Sequence, residues 1–280
     1  MLRPLIENLT LLYARAPYHA GKWRVVEALI RAGGLGRGPV LTREVVRQGL
    51  RWRLSTDCAL QRRLLYHGVF DVHDARALFA GIGAGSVFLD VGAYFGYYSL
   101  LAAQRGASVH AFEPVGENFT LLETQRGLNS FAQVQAHRIA LSDAVGQASF
   151  ILPDTENRGR GHLAGDVTGA KLEQVEMTTL DAFAERTGLA RLDALKVDVE
   201  GAEIKVLAGG QETLRRFHPT ILIELNPSCL GRFGADEGAL LEALRALGYD
   251  VFRATHGGLE PYRGLAGGES YLNIICKAKA

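Results

Sequence analysis

From residue 85 onward, this 280-residue sequence predicts an α/β architecture. Three observations carry the prediction. Short apolar runs of strand length alternate with helix-patterned segments. The first run, Val87–Val91, leads into two glycines four apart, Gly92 and Gly96, which open onto a helix-patterned stretch. Acidic residues then recur at the ends of the runs, the rim where an open sheet binds its ligands. Alternation of this kind gives a mostly parallel sheet covered by helices.

The elements follow in order. Residues 5–16 and 22–32 read as helices, with Ile6, Leu9, Leu12 and Tyr13 on one face of the first. A glycine-rich break at 33–39 precedes a β-hairpin, Thr42–Arg47 and Leu50–Leu54 around Gln48-Gly49, in which Leu50, Trp52 and Leu54 alternate with arginines. Two short helices, 57–67 and 72–80, lead to a boundary at Gly81–Gly85. The organisation expected is a small, mainly helical extension over 1–84 and a ligand-binding domain over 85–280. In that domain, strands at 87–91, 108–112, 134–140, 194–199 and 220–225 alternate with helices at 97–104, 118–128, 179–186 and 203–216. Strand-like 148–152 and 175–178 bracket a polar loop. A helix over 236–247 and strands near 249–253 and 271–277 close the chain; with no helix between them, the last two should pair antiparallel.

Charge is unevenly spread. Residues 1–84 hold 13 Lys and Arg against 6 Asp and Glu, a surplus of seven, whereas the remainder holds 18 against 24. The arginines are scattered and form no nucleic-acid-binding motif, so a solvated basic surface is expected and no nucleic-acid partner. No apolar run is long enough to span a membrane, and Arg15, Lys22 and Arg24 interrupt any signal-peptide core, so a cytoplasmic location is expected. Cys58, Cys229 and Cys276 are odd in number and widely spaced, which fits a reducing compartment and neither a disulfide framework nor a zinc site.

The strand ends carry the chemistry. The turn Gly92-Ala93-Tyr94-Phe95-Gly96 lets backbone N–H groups and a helix N-terminus approach an anion, and Asp90 beside it can accept from an amino or hydroxyl group. Glu113, 23 positions after Asp90, suits the two hydroxyls of a ribose. Ser142 and Asp143 either bond an adenine amino group or simply form a β-turn. Alternation puts Lys196, Asp198 and Glu200 on one side of their strand, and three charges there are costly unless they open into a polar site. Glu224 adds a carboxylate at the same rim. His162, in the polar loop with Asn157, Arg158 and Arg160, is a candidate general base.

These residues resemble a known family. Asp90-Val91-Gly92-Ala93, Phe112-Glu113-Pro114, Ala140-Leu141-Ser142-Asp143 and Lys196-Val197-Asp198-Val199-Glu200-Gly201-Ala202-Glu203 occur in that order. With Val206-Leu207-Ala208-Gly209 and Pro219…Glu224 they look like the FkbM-type S-adenosylmethionine-dependent methyltransferases, over residues 85–276. The octapeptide is the most specific part. Tyr94 departs from the asparagine usual there, and Gln125 from a common asparagine.

The resemblance implies a Rossmann-like class I methyltransferase fold, a mostly parallel seven-stranded sheet with an antiparallel C-terminal strand. It implies an O-methyltransferase taking S-adenosyl-L-methionine to S-adenosyl-L-homocysteine. The methionyl carboxylate would meet the glycine-turn N–H groups, Asp90 the amino group, Glu113 the ribose, and Asp198 the reacting end. Asp198 or Glu200 would act as base or position the acceptor, a hydroxyl of a saccharide or another small metabolite. A Mg²⁺ ion on Asp198, Glu200 and Glu224 ranks second to a metal-free site. Residues 1–84 would cap the pocket or mediate a homodimer. The competing readings are an NAD-dependent oxidoreductase, disfavoured because Tyr94 replaces the second glycine of Gly-x-Gly-x-x-Gly, and a non-catalytic cofactor-binding regulator.

Overall fold

The computed structural model describes residues 2–16, 18–19, 21–35, 40–152, the backbone of 162–163, and 172–279. These residues divide into two units.

The smaller runs to Val72 and takes in Gly127–Ser130. It contains α1 (Leu2–Tyr13), α2 (Lys22–Gly33), the hairpin β1 (Thr42–Arg47) and β2 (Leu50–Ser55), and α3 (Ala59–His67). Arg47 pairs with Leu50, and both turn residues have positive φ, Gln48 at 54° and Gly49 at 77°, as a two-residue hairpin turn requires. The strand's period of two buries Leu50, Trp52 and Leu54 and exposes Arg51 and Arg53. Two cations lie inside this unit and are satisfied by carbonyls. Arg47 donates to Leu65, Leu11 and Val46, and Lys22 donates to Ala14 and Ala16. Helix α1 turns Glu7 and Thr10 inward, where Glu7 accepts from Arg43 and from the Tyr66 hydroxyl.

The larger unit begins at His73, so α4 (Val72–Leu78) belongs mainly to it. The strands β3 (Val87–Val91), β4 (Ser108–Phe112) and β5 (Val134–His137) pair in parallel, separated by α5 (Tyr97–Gln104) and α6 (Gly116–Asn129). Then come β6 (Ala140–Leu141), β7 (Gly146–Ile151), β8 (His162–Leu163), β9 (Leu172–Thr178), α7 (Leu180–Thr187) and β10 (Ala194–Val197). The chain finishes with α8 (Glu203–Ala208), α9 (Gln211–Phe217), β11 (Thr220–Leu225), α10 (Pro227–Gly231), α11 (Glu237–Ala246), β12 (Tyr249–Thr255), β13 (Gly258–Pro261) and β14 (Leu272–Ala278).

The main sheet has the order β13-β12-β14-β11-β10-β3-β4-β5. Strands β5, β4, β3, β10 and β11 run parallel, while β14 lies antiparallel between β11 and β12. This is the expected Rossmann-like sheet, with β13 added at its edge by a hairpin on β12. Successive strands run outward from β3 in one direction through β5 and in the other from β10. The crevice at the C-terminal ends of β3 and β10 is therefore the topological switch point, where ligands bind in such sheets. Leu89, Val91, Leu195, Val197, Ile221 and Ile223 bury a continuous apolar face against Leu180, Phe183, Val206, Leu214, Leu240 and Leu244. At about 25 cal/mol per Å² of apolar surface, this core carries the hydrophobic stabilisation of the unit.

Two expectations change. The third parallel strand ends at His137 rather than 140, because Ala140-Leu141 leaves the main sheet to pair with Met177-Thr178. There it helps form a second sheet, β6-β9-β7-β8. The helix expected over 203–216 is two helices broken at Gly209-Gly210. A Cβ on Gly209 would stand 2.0 Å from the Ser142 carbonyl oxygen, so the backbones cross there too closely for any side chain. All three cysteines are free and buried. Among the described residues no helix is long and apolar enough to cross a membrane.

Candidate active site

Lys196 is the centre of the strand-end cluster. Its Cα pairs with that of Asp90 across β10 and β3, which brings the two side chains to one point of the sheet. The ammonium donates to the Gly92 carbonyl at 2.6 Å and lies 3.6 Å from Asp90 and 3.4 Å from Asp198. Burial works against its charge, but Asp198 and Asp90 outweigh burial and hold the lysine above its ordinary pKa. Asp90 is buried, and burial raises its carboxyl despite Lys196 and the Ser99 hydroxyl, which donates to its Oδ2 at 2.6 Å. Its Oδ1 accepts no hydrogen bond among the described residues.

Glu113 stands just beyond β4. Its Oε2 accepts from the Tyr94 N–H at 2.9 Å, and its Oε1 accepts from the Val115 N–H at 3.0 Å and from Asn118 at 3.3 Å. Burial lifts its pKa to about 7 against those donors. Glu113 thus holds the glycine turn and the start of α6 to one carboxylate.

The glycine turn itself is spent differently from expectation. The N–H groups of Gly92 and Ala93 both donate to the Phe112 carbonyl, that of Tyr94 to Glu113, and that of Gly96 to Ala93. These four N–H groups have partners inside the protein. Gly92 has φ +76°, and a Cβ there would meet the Asp198 carbonyl oxygen at 1.8 Å. The glycine exists for the crossing of β3's end with Asp198. Tyr94 holds φ +50°, a strained conformation for a large side chain, and packs edge-on against buried Phe95 at 5.0 Å.

Strand alternation does not carry Lys196, Asp198 and Glu200 as a single row, because β10 stops at Val197. Beyond it the chain turns, with Glu200 at φ +55°. Glu203 fixes that turn. Its Oε1 accepts from the N–H groups of Val199 and Gly201, both at 3.1 Å, and burial raises its pKa to about 7. Asp198 remains the more open carboxylate, its side chain 38% exposed. Glu200 faces instead toward α10, where the Cys229 thiol donates to its Oε2 at 3.3 Å.

Glu224 lies beside them, raised to about 9 by burial and then by the charges of Asp198 and Glu200. The grouping thus retains a proton at neutral pH. Donor atoms of Glu200, Glu224 and Cys229 lie within 4.8 Å of one another. That set replaces Asp198, expected as a Mg²⁺ ligand, by a buried thiol that burial raises to about 12. A protonated thiol does not suit a hard, oxygen-seeking cation. Sequence reasoning missed the parts played by Glu203 and Cys229. The spacing of Glu203 after Val199 was a readable signal; the approach of Cys229 depends on the turn after β11.

Ser142 and Asp143 follow β6 into the second sheet's edge. The Ser142 N–H donates to Thr178, its hydroxyl to Asp143, and Asp143 pairs with Lys205 at 3.3 Å. Their contacts are thus with each other and α8, not with the carboxylate cluster. The loop residues Asn157, Arg158 and Arg160 and the side chain of His162 lie outside the described residues.

Comparison with known proteins bears on this arrangement. A family model described as "Methyltransferase FkbM domain" matches residues 90–251, from Asp90 through β11 and α11. The 31-O-demethyl-FK506 methyltransferase FkbM of Streptomyces tacrolimicus is 31% identical over 159 residues, 46% of this chain and 60% of that protein. Methyltransferase sdnD of Sordaria araneosa is 29% identical over 184 residues, 55% of this chain and 70% of that one. The AMB antimetabolite synthetase AmbE of Pseudomonas aeruginosa is 28% identical over 203 residues, and the match spans 59% of this chain and 10% of that protein's length. Among solved structures, Methyltransferase FkbM from Methylobacillus flagellatus is 14% identical with a TM-score of 0.48, over 78% of this chain and 52% of that one.

Proposed function

The chain belongs to the FkbM methyltransferase family, and from that premise we propose that it transfers a methyl group from S-adenosyl-L-methionine to a hydroxyl of a saccharide or another small metabolite. Lys196 carries the reading. It gathers Asp90 and Asp198 at the sheet's switch point, with Glu113 at the end of the neighbouring strand. The match to a relative named as a 31-O-demethyl-FK506 methyltransferase supports a hydroxyl acceptor. The family match favours methyl transfer over the nicotinamide reading.

The residues fit such a cofactor. Buried Asp90 keeps one oxygen without a hydrogen bond, available to an amino group. Glu113 has one accepting site beyond its three protein donors, which a ribose hydroxyl would use. The bound cofactor supplies an electrophilic methyl on a sulfonium. Lys196 holds Asp90 and Asp198 together at the rim.

In this reading Asp198 orients the acceptor hydroxyl for in-line attack, and alignment supplies much of the acceleration. Asp198 or Glu200 takes the hydroxyl proton, Glu200 being held in place by the Cys229 thiol and by the Glu203-clamped turn. Glu224, which keeps its own proton, limits repulsion between the carboxylates.

The test is methyl transfer by Asp198→Asn and Glu200→Gln, with S-adenosylhomocysteine binding measured by calorimetry. Turnover should fall by about 10²-fold or more in each, while the affinity of Glu200→Gln for S-adenosylhomocysteine is retained. Wild-type turnover in both variants would remove the assignment. Absence of transfer by the wild type to any hydroxyl acceptor, with homocysteine nucleoside still bound, would favour the non-catalytic regulator.

A further inference from the structure

The smaller unit inverts the usual arrangement of an amphipathic helix. Helix α1 buries Glu7 and Thr10 and leaves Leu2, Leu5, Leu9 and Leu12 exposed by 70, 58, 48 and 62%. A helix normally turns its apolar stripe to the core. Here Glu7 is held inward by Arg43 and Tyr66, so the orientation is anchored by specific polar contacts. The leucines fall on one outward stripe at spacings of three, four and three. That is the narrow seam by which one helix packs against another, knobs into holes.

We propose that this stripe is the interface of a homodimer, α1 packing antiparallel against α1 of a second copy. The spacing reads the same in both directions. A two-fold axis through its midpoint therefore sets Leu2 over the partner's Leu12 and Leu5 over the partner's Leu9, a self-complementary contact. Antiparallel pairing also places each helix's positive N-terminal end beside the other's negative C-terminal end.

The area is of the right size. The four leucines expose on the order of 450 Å² per copy, and with the exposed Pro4 and Asn8 beside them a pair would clear the roughly 1,000 Å² that separates specific interfaces from incidental ones. The residues flanking the leucines at the stripe's centre, Asn8 and Pro4, are uncharged, so like charges do not oppose each other across the two-fold axis.

The test uses the full chain in light scattering coupled to gel filtration, over a range of protein concentrations. The wild type should have twice the monomer mass of 30.4 kDa. Leu5→Glu/Leu9→Glu and Leu5→Lys/Leu9→Lys should each run as monomers with unchanged far-ultraviolet circular dichroism. Mixed, the two variants should recover the doubled mass, because the carboxylates introduced on one copy then face the ammonium groups introduced on the other. A wild type that stays at the monomer mass at every concentration overturns the proposal. So does a dimer that survives both double variants. Sedimentation of the wild type with phosphatidylglycerol vesicles, abolished by the double glutamate substitution and without dimer formation, would assign the stripe to a membrane surface instead.

Discussion

Lys196 shows how much of the site one side chain decides. It is the cation within reach of Asp90 and Asp198, and its own charge is sustained by theirs. Breaking a buried pair by removing one partner costs about 3–5 kcal/mol, because the remaining charge is left uncompensated. Lys196→Met should therefore unfold at markedly lower denaturant, read as a shift in urea midpoint. Glu113→Gln tests the ribose reading: S-adenosylhomocysteine affinity should fall by about tenfold or more, since a neutral amide forms weaker hydrogen bonds to hydroxyls than a carboxylate does. Unchanged affinity would place the nucleoside elsewhere. Asp90, Glu113, Lys196 and Asp198 were legible from strand ends alone, because an α/β sheet puts its strand ends on one rim. The use of the glycine turn was not. A sequence shows that a glycine is present, and only the crossing backbone shows that Gly92 answers to the Asp198 carbonyl.

Elements were readable where periodicity was long and failed where they were short. The parallel strands and most of the helices stand close to where the pattern puts them. The second sheet was only partly visible, since β6 and β8 have two residues each and no period can be read from two residues. The Gly209-Gly210 pair was present in the sequence, but a helical pattern continues through it. The break follows from the Ser142 carbonyl approaching Gly209, a contact with a segment far away in sequence. Gly209→Ala should cost about 3 kcal/mol or more, as an overpacked backbone contact that no side-chain rotation relieves. Asp236 offers the contrast. It caps α11 by accepting from the Ala239 N–H at 2.8 Å, and Asp236→Ala should cost about 1 kcal/mol of stability with turnover unaltered.

At the scale of the molecule, buried carboxyls tie stability to pH. Glu113 and Glu203 rise to about 7 and Glu224 to about 9, all by burial first, so the folded protein binds protons that the unfolded chain releases. Their stabilisation is fully present below the ordinary carboxyl range, near 4.5, and is lost as pH rises through 7 and then 9. His137 opposes this at the acid end. Burial lowers it to about 4, so its contribution is present above 6.5 and lost as pH falls toward 4. The melting temperature should accordingly decline between pH 7 and 9. Glu224→Gln, which mimics the protonated acid, should flatten the upper part of that decline. A melting curve insensitive to pH in this window for both proteins would show that Glu224 titrates normally.

The hydrogen bond from Lys196 to the Gly92 carbonyl joins residues 104 positions apart. A nascent chain that has emitted β3, α5, β4 and α6 already contains Asp90, the glycine turn and Glu113, but not the cation that neutralises them. Until β10 leaves the ribosome and inserts beside β3, that half carries an unpaired acid and an unmatched central strand edge. Completion of the strand-end cluster is thus one of the later events in the birth of the chain. On the proposed reading, the methyl donor finds no complete site before most of the protein has been made.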